Sequence, residues 1–277
     1  MDALARDGQG PPDGGGGLEP GYRELPPPPD LRGTVACLWV RFAPAAGGPR
    51  LRVLPDACTD LIWQADRGLF VAGPDTGPVV SESSPRALLV GARFLPGAGG
   101  PAFGVPLSEL RDRRVDAAEV LPRLGRRLLE EPLDLDGIAA VARRLVATTE
   151  PDLAVRAATR LLADPRASVE TVADAVCLSE RQLRRRFHAA VGYGPRTLQR
   201  VLRFRRFLSR LDAAGDGADL ATMAFEAGYA DQAHLTREST RLAGLPPGAL
   251  ARARVPDEPA VTVGIAGVDA GDPVGRA

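Results

Sequence analysis

The feature that most constrains this chain is a pattern that occurs twice. Leu183, Gly192 and Pro195 are matched 52 residues later by Leu235, Gly244 and Pro247, and an offset shared by three positions marks a duplicated supersecondary unit. Each copy reads as a short helix, a tight turn and a second helix. In the first, Ser168 stands where a cap is needed before Val169, Val172, Ala173 and Val176, and Cys177-Leu178 forms the turn. Ser179 then opens a second helix with Gln182 three residues on, the spacing of a reciprocal cap. Leu183 and Phe187 share the face of that helix that turns to a core. Arg181, Arg184, Arg185 and His188 fall at i, i+3, i+4 and i+7 on another face. In the second copy Leu220, Met223, Ala224 and Ala227 repeat the first helix, Gly228-Tyr229 repeats the turn, and Asp231 caps a helix carrying Leu235, Leu242 and Gly244. A longer helix from Pro195 to about Leu211, roughly 25 Å at 1.5 Å per residue, joins the copies.

Helix, turn and helix within about 25 residues is the unit that lays its second helix in a DNA major groove. Charge supports that reading. Overall the chain is balanced, with 35 basic and 35 acidic residues, so total charge names no partner. Locally it is not: Arg181, 184, 185, 186, 196, 200, 203, 205, 206 and 210 lie in a segment with no Asp or Glu. The basic residues of the whole chain are all Arg, so a lone Arg says little and only clustering on one face is informative.

By position, Arg181, Arg184, Arg185 and His188 are expected to face base edges in the first unit, where Arg suits guanine O6 and N7. In the second, the matching positions are Ala233, Thr236 and Arg237, with Gln232 and His234 beside them; for His234, capping of its own helix is an equal reading. Arg196, Arg203 and Arg206 are expected on phosphates. The second unit, from Asp216 to Arg241, has five acidic residues against Arg237 and Arg241. It should therefore contribute less to phosphate attraction.

The strings "LSERQLRRRFHAAVGYGP" and "AFEAGYADQAHLTRESTRLAGLPP" resemble the two recognition regions of the AraC/XylS family of bacterial transcription regulators. That resemblance implies double-stranded DNA as a partner and leaves RNA polymerase, a small-molecule effector and a second copy of the chain open as others. "RVLPDACTDLIW", "VAGPDT", "VGARFLPGAG" and "ELRDRRV" resemble an uncharacterised domain that precedes such DNA-binding regions in high-GC bacteria. Two positions depart from the family pattern. Cys177 stands at a turn position where Gly is usual, and a positive φ there would cost on the order of 1 kcal/mol. Ser239 stands where Phe is usual, which thins the core of the second unit unless Leu242 fills in.

The remainder reads as an α+β multidomain chain. Residues 1–30, with Gly14 to Gly17 and Pro26 to Pro29, are expected to be a disordered tail. Residues 31–110 contain short apolar runs cut by Gly and Pro (35–42, 51–54, 61–64, 69–72, 88–94), the texture of a small β-rich sensor-like domain. A helical connector is expected over 111–162, with a capping box at Asp116/Glu119 followed by Val120, Leu121, Leu124 and Leu128, then helices over 135–146 and 152–163. The DNA-binding domain spans 163–255, and 256–277 is a flexible tail apart from a short extended segment at Val261 to Ile265.

Cys37, Cys58 and Cys177 lack metal-ligand spacing and the only histidines are His188 and His234, so no metal and no cofactor are expected. A cytoplasmic, non-membrane protein is the reading that fits. In the β-rich part Trp39, Asp56, Asp60 and Trp63 are the candidate effector contacts. Asp56 and Asp60 as turn-shaping residues are favoured over a catalytic pair, because no histidine accompanies them, and Cys58 has no basic neighbour in sequence to activate it. The chain is thus read as a regulator and not an enzyme. An enzyme fused to a DNA-binding region and an effector-independent architectural binder are the alternatives.

Overall fold

The computed structural model describes residues 21–125, 131–214, 219–252 and 261–262. Most of both expected tails, and Leu128 and Asp216, lie outside these.

The N-terminal half is built on β1 (Gly21–Leu25), β2 (Val35–Phe42), β3 (Gly48–Val53), β4 (Thr59–Gln64), β5 (Gly68–Ala72), β6 (Val79–Ser83), β7 (Leu88–Phe94), β8 (Arg114–Asp116) and the late β9 (Val261–Thr262). An antiparallel six-stranded sheet runs in the order β1-β2-β7-β4-β5-β8, and a three-stranded sheet in the order β6-β3-β9. Because side chains alternate across a strand, each strand of the large sheet serves two faces. Leu38, Leu61, Trp63, Val71 and Phe94 point to one face and pack with Ile138, Val141, Ala142 and Leu145 of helix α4 (Leu135–Val146). Cys37, Trp39, Ile62, Phe70 and Ala72 point to the other, toward the small sheet. Trp39 lies flat over Gly91, its register partner; a Cβ there would come within 2.2 Å of the indole, so only glycine fits.

Two expectations are corrected here. Gly21–Leu25, read as part of a loose tail, pairs with β2 along its whole length, and its Glu24 enters a buried ion-pair cluster. The helix expected from Asp116 through Leu128 is instead α3 (Ala117–Val120) followed by a 3-10 turn at Pro122–Leu124, and Asp116 makes no capping bond. Pro122 explains this: its ring disfavours helical conformation at Leu121 and it has no amide to donate.

Two short helices, α1 (Gly99–Phe103) and α2 (Leu107–Leu110), follow β7, and α5 (Leu153–Leu161) follows α4. The C-terminal half is all helix: α6 (Val169–Ala175), α7 (Glu180–Ala190), α8 (Pro195–Ala214), α9 (Leu220–Ala227), α10 (Gln232–Ala243) and α11 (Pro247–Arg252). Phe187, Phe204, Phe207, Leu198, Leu208 and Leu235 build one core shared by both units. Val155, Ala158 and Leu162 from the α5 region join it, and so do Leu54 and Ala57 from the loop after β3. The N-terminal half is therefore seated in the C-terminal core, not tethered to it.

Candidate nucleic-acid interface

The helix-turn-helix expected over α6 and α7 is present with its caps. Ser168 and Thr171 form a reciprocal cap at the start of α6, and Ser179 and Gln182 do so at α7. Cys177 has φ 54 at the turn, so a side chain occupies the left-handed region where Gly228 (φ 90) serves the second unit. Leu178 donates its amide to the Ala173 carbonyl and Tyr229 does the same to Ala224. The offset between units is 51 residues before the turn and 52 after it, because Ala230 adds a residue ahead of the Asp231 cap. Ser239 is fully buried, and its hydroxyl donates to the Leu245 carbonyl at 2.7 Å. The smaller side chain is therefore satisfied, and Leu242 is buried beside it.

On α7, Leu183 and Phe187 are fully buried, while Arg181, Arg184 and Arg185 are exposed on the opposite side. These three guanidiniums make no hydrogen bond or ion pair among the described residues. His188 is half-buried at the end of the same face, and burial, then the positive charge of Arg184 and Arg111, holds its imidazole below its ordinary pKa. On α10, Gln232 and Arg237 are exposed and Thr236 turns its hydroxyl back to the Gln232 carbonyl. His234 has its backbone amide capped by Asp231 at 2.6 Å and its ring edge-on to Tyr229.

The ten-arginine segment is far less free than its composition implies. Arg200 forks onto Glu238 at 2.7 and 2.8 Å, and Arg210 pairs with Glu226. Arg186 reaches Asp152, and Arg205 reaches Asp56 of the N-terminal half. Arg206, expected on phosphate, instead donates to the backbone carbonyls of Ala163 and Ala227, and burial lowers its pKa. Its guanidinium ties α8 to the ends of the two flanking segments. Arg203 sits over the Tyr229 ring, 5.6 Å from its centre. Arg196 is exposed at the first turn of α8. What remains available is the α7 stripe, with Arg196 nearby in sequence.

The second constellation lies between the two sheets. A cavity of about 290 Å³ is lined by Tyr22, Trp39, Ile62 and Phe70 as an apolar wall and by Asp56, Asp60, Asp75, Arg93 and Arg114 as a charged floor. Of the four expected effector contacts, Trp39, Asp56 and Asp60 are brought together here. Trp63 is not: one residue out of phase with Ile62, it faces α4 in the other core. Arg93 is the buried centre, paired with Glu24 at 3.0 Å, Asp60 at 3.2 Å and Asp56 at 3.4 Å. Trp39 donates its indole N–H to Asp60 at 2.7 Å. Burial raises the Asp60 carboxyl above its ordinary pKa, against the pull of Arg93. Asp75 and Arg114 form a bidentate pair at 2.6 Å. Cys58 is buried and its thiol is pushed up by burial and by Asp56, so the neighbouring Arg93 and Arg205 do not make it a reactive thiolate. Arg93 and Asp75 were missed at the sequence level; both lie inside the motifs quoted above, but only strand register reveals that Arg93 stands opposite Asp60.

Among the described residues no group of His, Cys, Asp and Glu could hold a metal ion, and no helix is long and apolar enough to cross a membrane.

Residues 172–253 match a helix-turn-helix domain family, and residues 23–116 match a domain of unknown function, DUF6597. No curated protein is matched. Among solved structures the chain is similar to ToxT from Vibrio cholerae O395, with a TM-score of 0.41 and 8% identity over 78% of this chain and 96% of that one. It is also similar to unsaturated fatty acid bound wild-type ToxT from Vibrio cholerae strain SCE256, with a TM-score of 0.39 and 9% identity over 79% and 95%. The fold is an N-terminal β-sheet domain followed by an all-helical C-terminal region. The chain joins a DUF6597 domain to a helix-turn-helix domain, an architecture that places a DNA-binding element in its C-terminal part.

Proposed function

We propose that this regulator selects its DNA site chiefly through Arg181, Arg184 and Arg185, and that a small molecule bound in the inter-sheet cavity controls it. One observation carries the first statement. In a segment where most arginines are occupied by protein partners, the α7 stripe is exposed and unpaired among the described residues, on a helix fixed by a capping box. Guanidiniums carried on a fixed helix are available for bidentate bonds to guanine edges with no protein ion pair to break first. Thr236, Arg237, Gln232 and His234 would read the second half-site, with Arg196 on a phosphate. The test is competition binding of Arg184→Ala and Arg185→Ala at one fixed salt. Loss of affinity for the cognate site beyond the loss for random duplex is expected, and equal loss on both would remove these residues from base reading.

The effector reading is supported by a cavity close to the size of small-molecule sites, with aromatic walls and few, fixed polar groups. Its floor contacts the DNA-binding half directly, since Asp56 bridges Arg93 and Arg205 of α8. A ligand that draws Asp56 toward the cavity would release α8, the helix that spaces the two units. A thermal-shift ligand screen on the full chain, repeated with Trp39→Ala, tests this: saturable stabilisation lost in the variant supports a sensor. Consumption of the ligand would support the rival fused enzyme.

A further inference from the structure

A second cavity, of about 300 Å³, lies where the N-terminal half meets both helix-turn-helix units. Thr76, Arg111 and Asp112 line it from the N-terminal side, Tyr193, Thr197 and Arg200 from the first unit and α8, and Arg241 from α10. The packing around it is close. A Cβ on Gly192 would come within 2.5 Å of Pro74, so the turn carrying Tyr193 is pressed onto the N-terminal half.

The polar groups of this cavity do not balance. The charge of Arg200 is matched by its fork onto Glu238. Asp112, held at φ 59, spends its carboxylate on the Thr76 amide at 2.6 Å and the Thr76 hydroxyl at 2.9 and 3.0 Å. That leaves Arg111 only a long approach to Asp112, 3.9 Å, and gives Arg241 no hydrogen bond or ion pair among the described residues. The Tyr193 hydroxyl is buried and has no hydrogen-bond partner among the described residues. Arg111 and Arg241 are exposed while the Tyr193 hydroxyl is buried, so the donors here outnumber the free acceptors and an acceptor is the complement of the set. We propose that this junction binds a small oxyanion, a phosphate or carboxylate group, which Arg111 and Arg241 clamp from opposite halves of the molecule. The lining is mainly polar and charged, so the occupant is compact and hydrophilic, unlike the ligand expected between the sheets. The site is independent of that effector reading. It joins three bodies at once: an anion held by Arg111 and Arg241 fixes α10 relative to the N-terminal half, and so fixes the spacing of the two units.

The full chain is titrated with inorganic phosphate, and separately with acetate, against sodium chloride at equal ionic strength, with the unfolding midpoint as readout. A saturable rise above the chloride control is expected, and Arg241→Gln and Arg111→Gln should each raise the half-saturating concentration about tenfold, the weight of one charge-assisted bond. Arg181→Ala, on the exposed stripe, should leave it unchanged. A response to phosphate alone identifies a phosphoryl group, to acetate alone a carboxylate, and to both a general oxyanion pocket. If an arginine variant fails to fold, Thr197→Val with binding followed by calorimetry replaces it, with weakened binding expected. Absence of saturation for both anions, or an equal shift in Arg181→Ala, would overturn the proposal, as would displacement of bound phosphate by random duplex, which would assign these arginines to the DNA backbone.

Discussion

The two helix-turn-helix units follow the same chain path but are held differently. In the first, both helices open on reciprocal caps and the core is filled by Phe187. In the second, Asp219 and Asp231 cap without the reciprocal bond to their own backbone amide, although Thr222 donates its hydroxyl to Asp219, and Ser239 replaces the aromatic with a hydrogen bond to a carbonyl. The first presents three arginines that are unpaired among the described residues. Among the described residues the second leaves Arg237 and Arg241 unpaired, while its Glu238 and Glu226 hold Arg200 and Arg210 of the connecting helix in ion pairs. A duplicated backbone thus need not mean duplicated work: the first copy offers a free cationic face, and on the proposed reading it carries most of the attraction and of the base choice, while the second refines the distal half-site.

The largest test of that contrast replaces Arg181, Arg184 and Arg185 by Ala together. Binding should fall more than about a hundredfold and the salt slope should drop by roughly two to three units, one per lost phosphate-range charge. Thr236→Ala with Arg237→Ala should instead relax preference at the distal half-site and keep most of the slope. Footprints of both variants on one operator, with affinity over a salt series, decide it; equal losses would make the units symmetric partners.

Stability should divide the same way. Phe187→Ala empties a fully buried site and should cost about 3–5 kcal/mol by urea unfolding, whereas Ser239→Ala, which strands the Leu245 carbonyl, should cost about 1–3 kcal/mol. A third comparison reverses the sign. Cys177→Gly relieves a left-handed side chain and should stabilise by about 1 kcal/mol, while Gly228→Ala imposes one and should destabilise by a similar amount. At Gly228 the added methyl also comes within 3.2 Å of Pro165.

The smallest effect is a pH dependence confined to the second unit. Burial alone would raise the Glu238 carboxyl, but the Arg200 hydrogen bond and charge outweigh it and hold the group below its ordinary value of 4.5. A depressed folded-state pKa gives stability that is present above that value and is lost as pH falls through the folded one. Glu238→Gln should therefore flatten the acid limb of the stability profile, and an unchanged limb would show that the pair contributes nothing.

Local rules made much of this fold legible. Val35–Phe42 and Leu88–Phe94 follow from apolar runs between Gly and Pro, Leu135–Val146 from helical spacing, and the caps at Ser168, Ser179 and Asp231 from residue type and spacing. What the sequence hid was long-range. β1 has a Pro-rich flank that resembles a tail, and its strand exists because β2 offers a free edge. Counting arginines overstated the positive face, because their partners Asp56, Asp152, Glu226 and Glu238 come from outside the segment counted. Trp39 and Trp63 were grouped by proximity, yet strand parity sends them to opposite faces of one sheet.

Leu54 and Ala57 have a further consequence, since they are residues of the N-terminal half buried in the core of the C-terminal half. Regulators are often pictured as interchangeable modules, a reader fused to any sensor. Here the interior of the helix-turn-helix half is finished by two side chains that belong to the N-terminal half, so a graft that exchanged one half would have to carry that loop with it or leave a hole beneath the connecting helix.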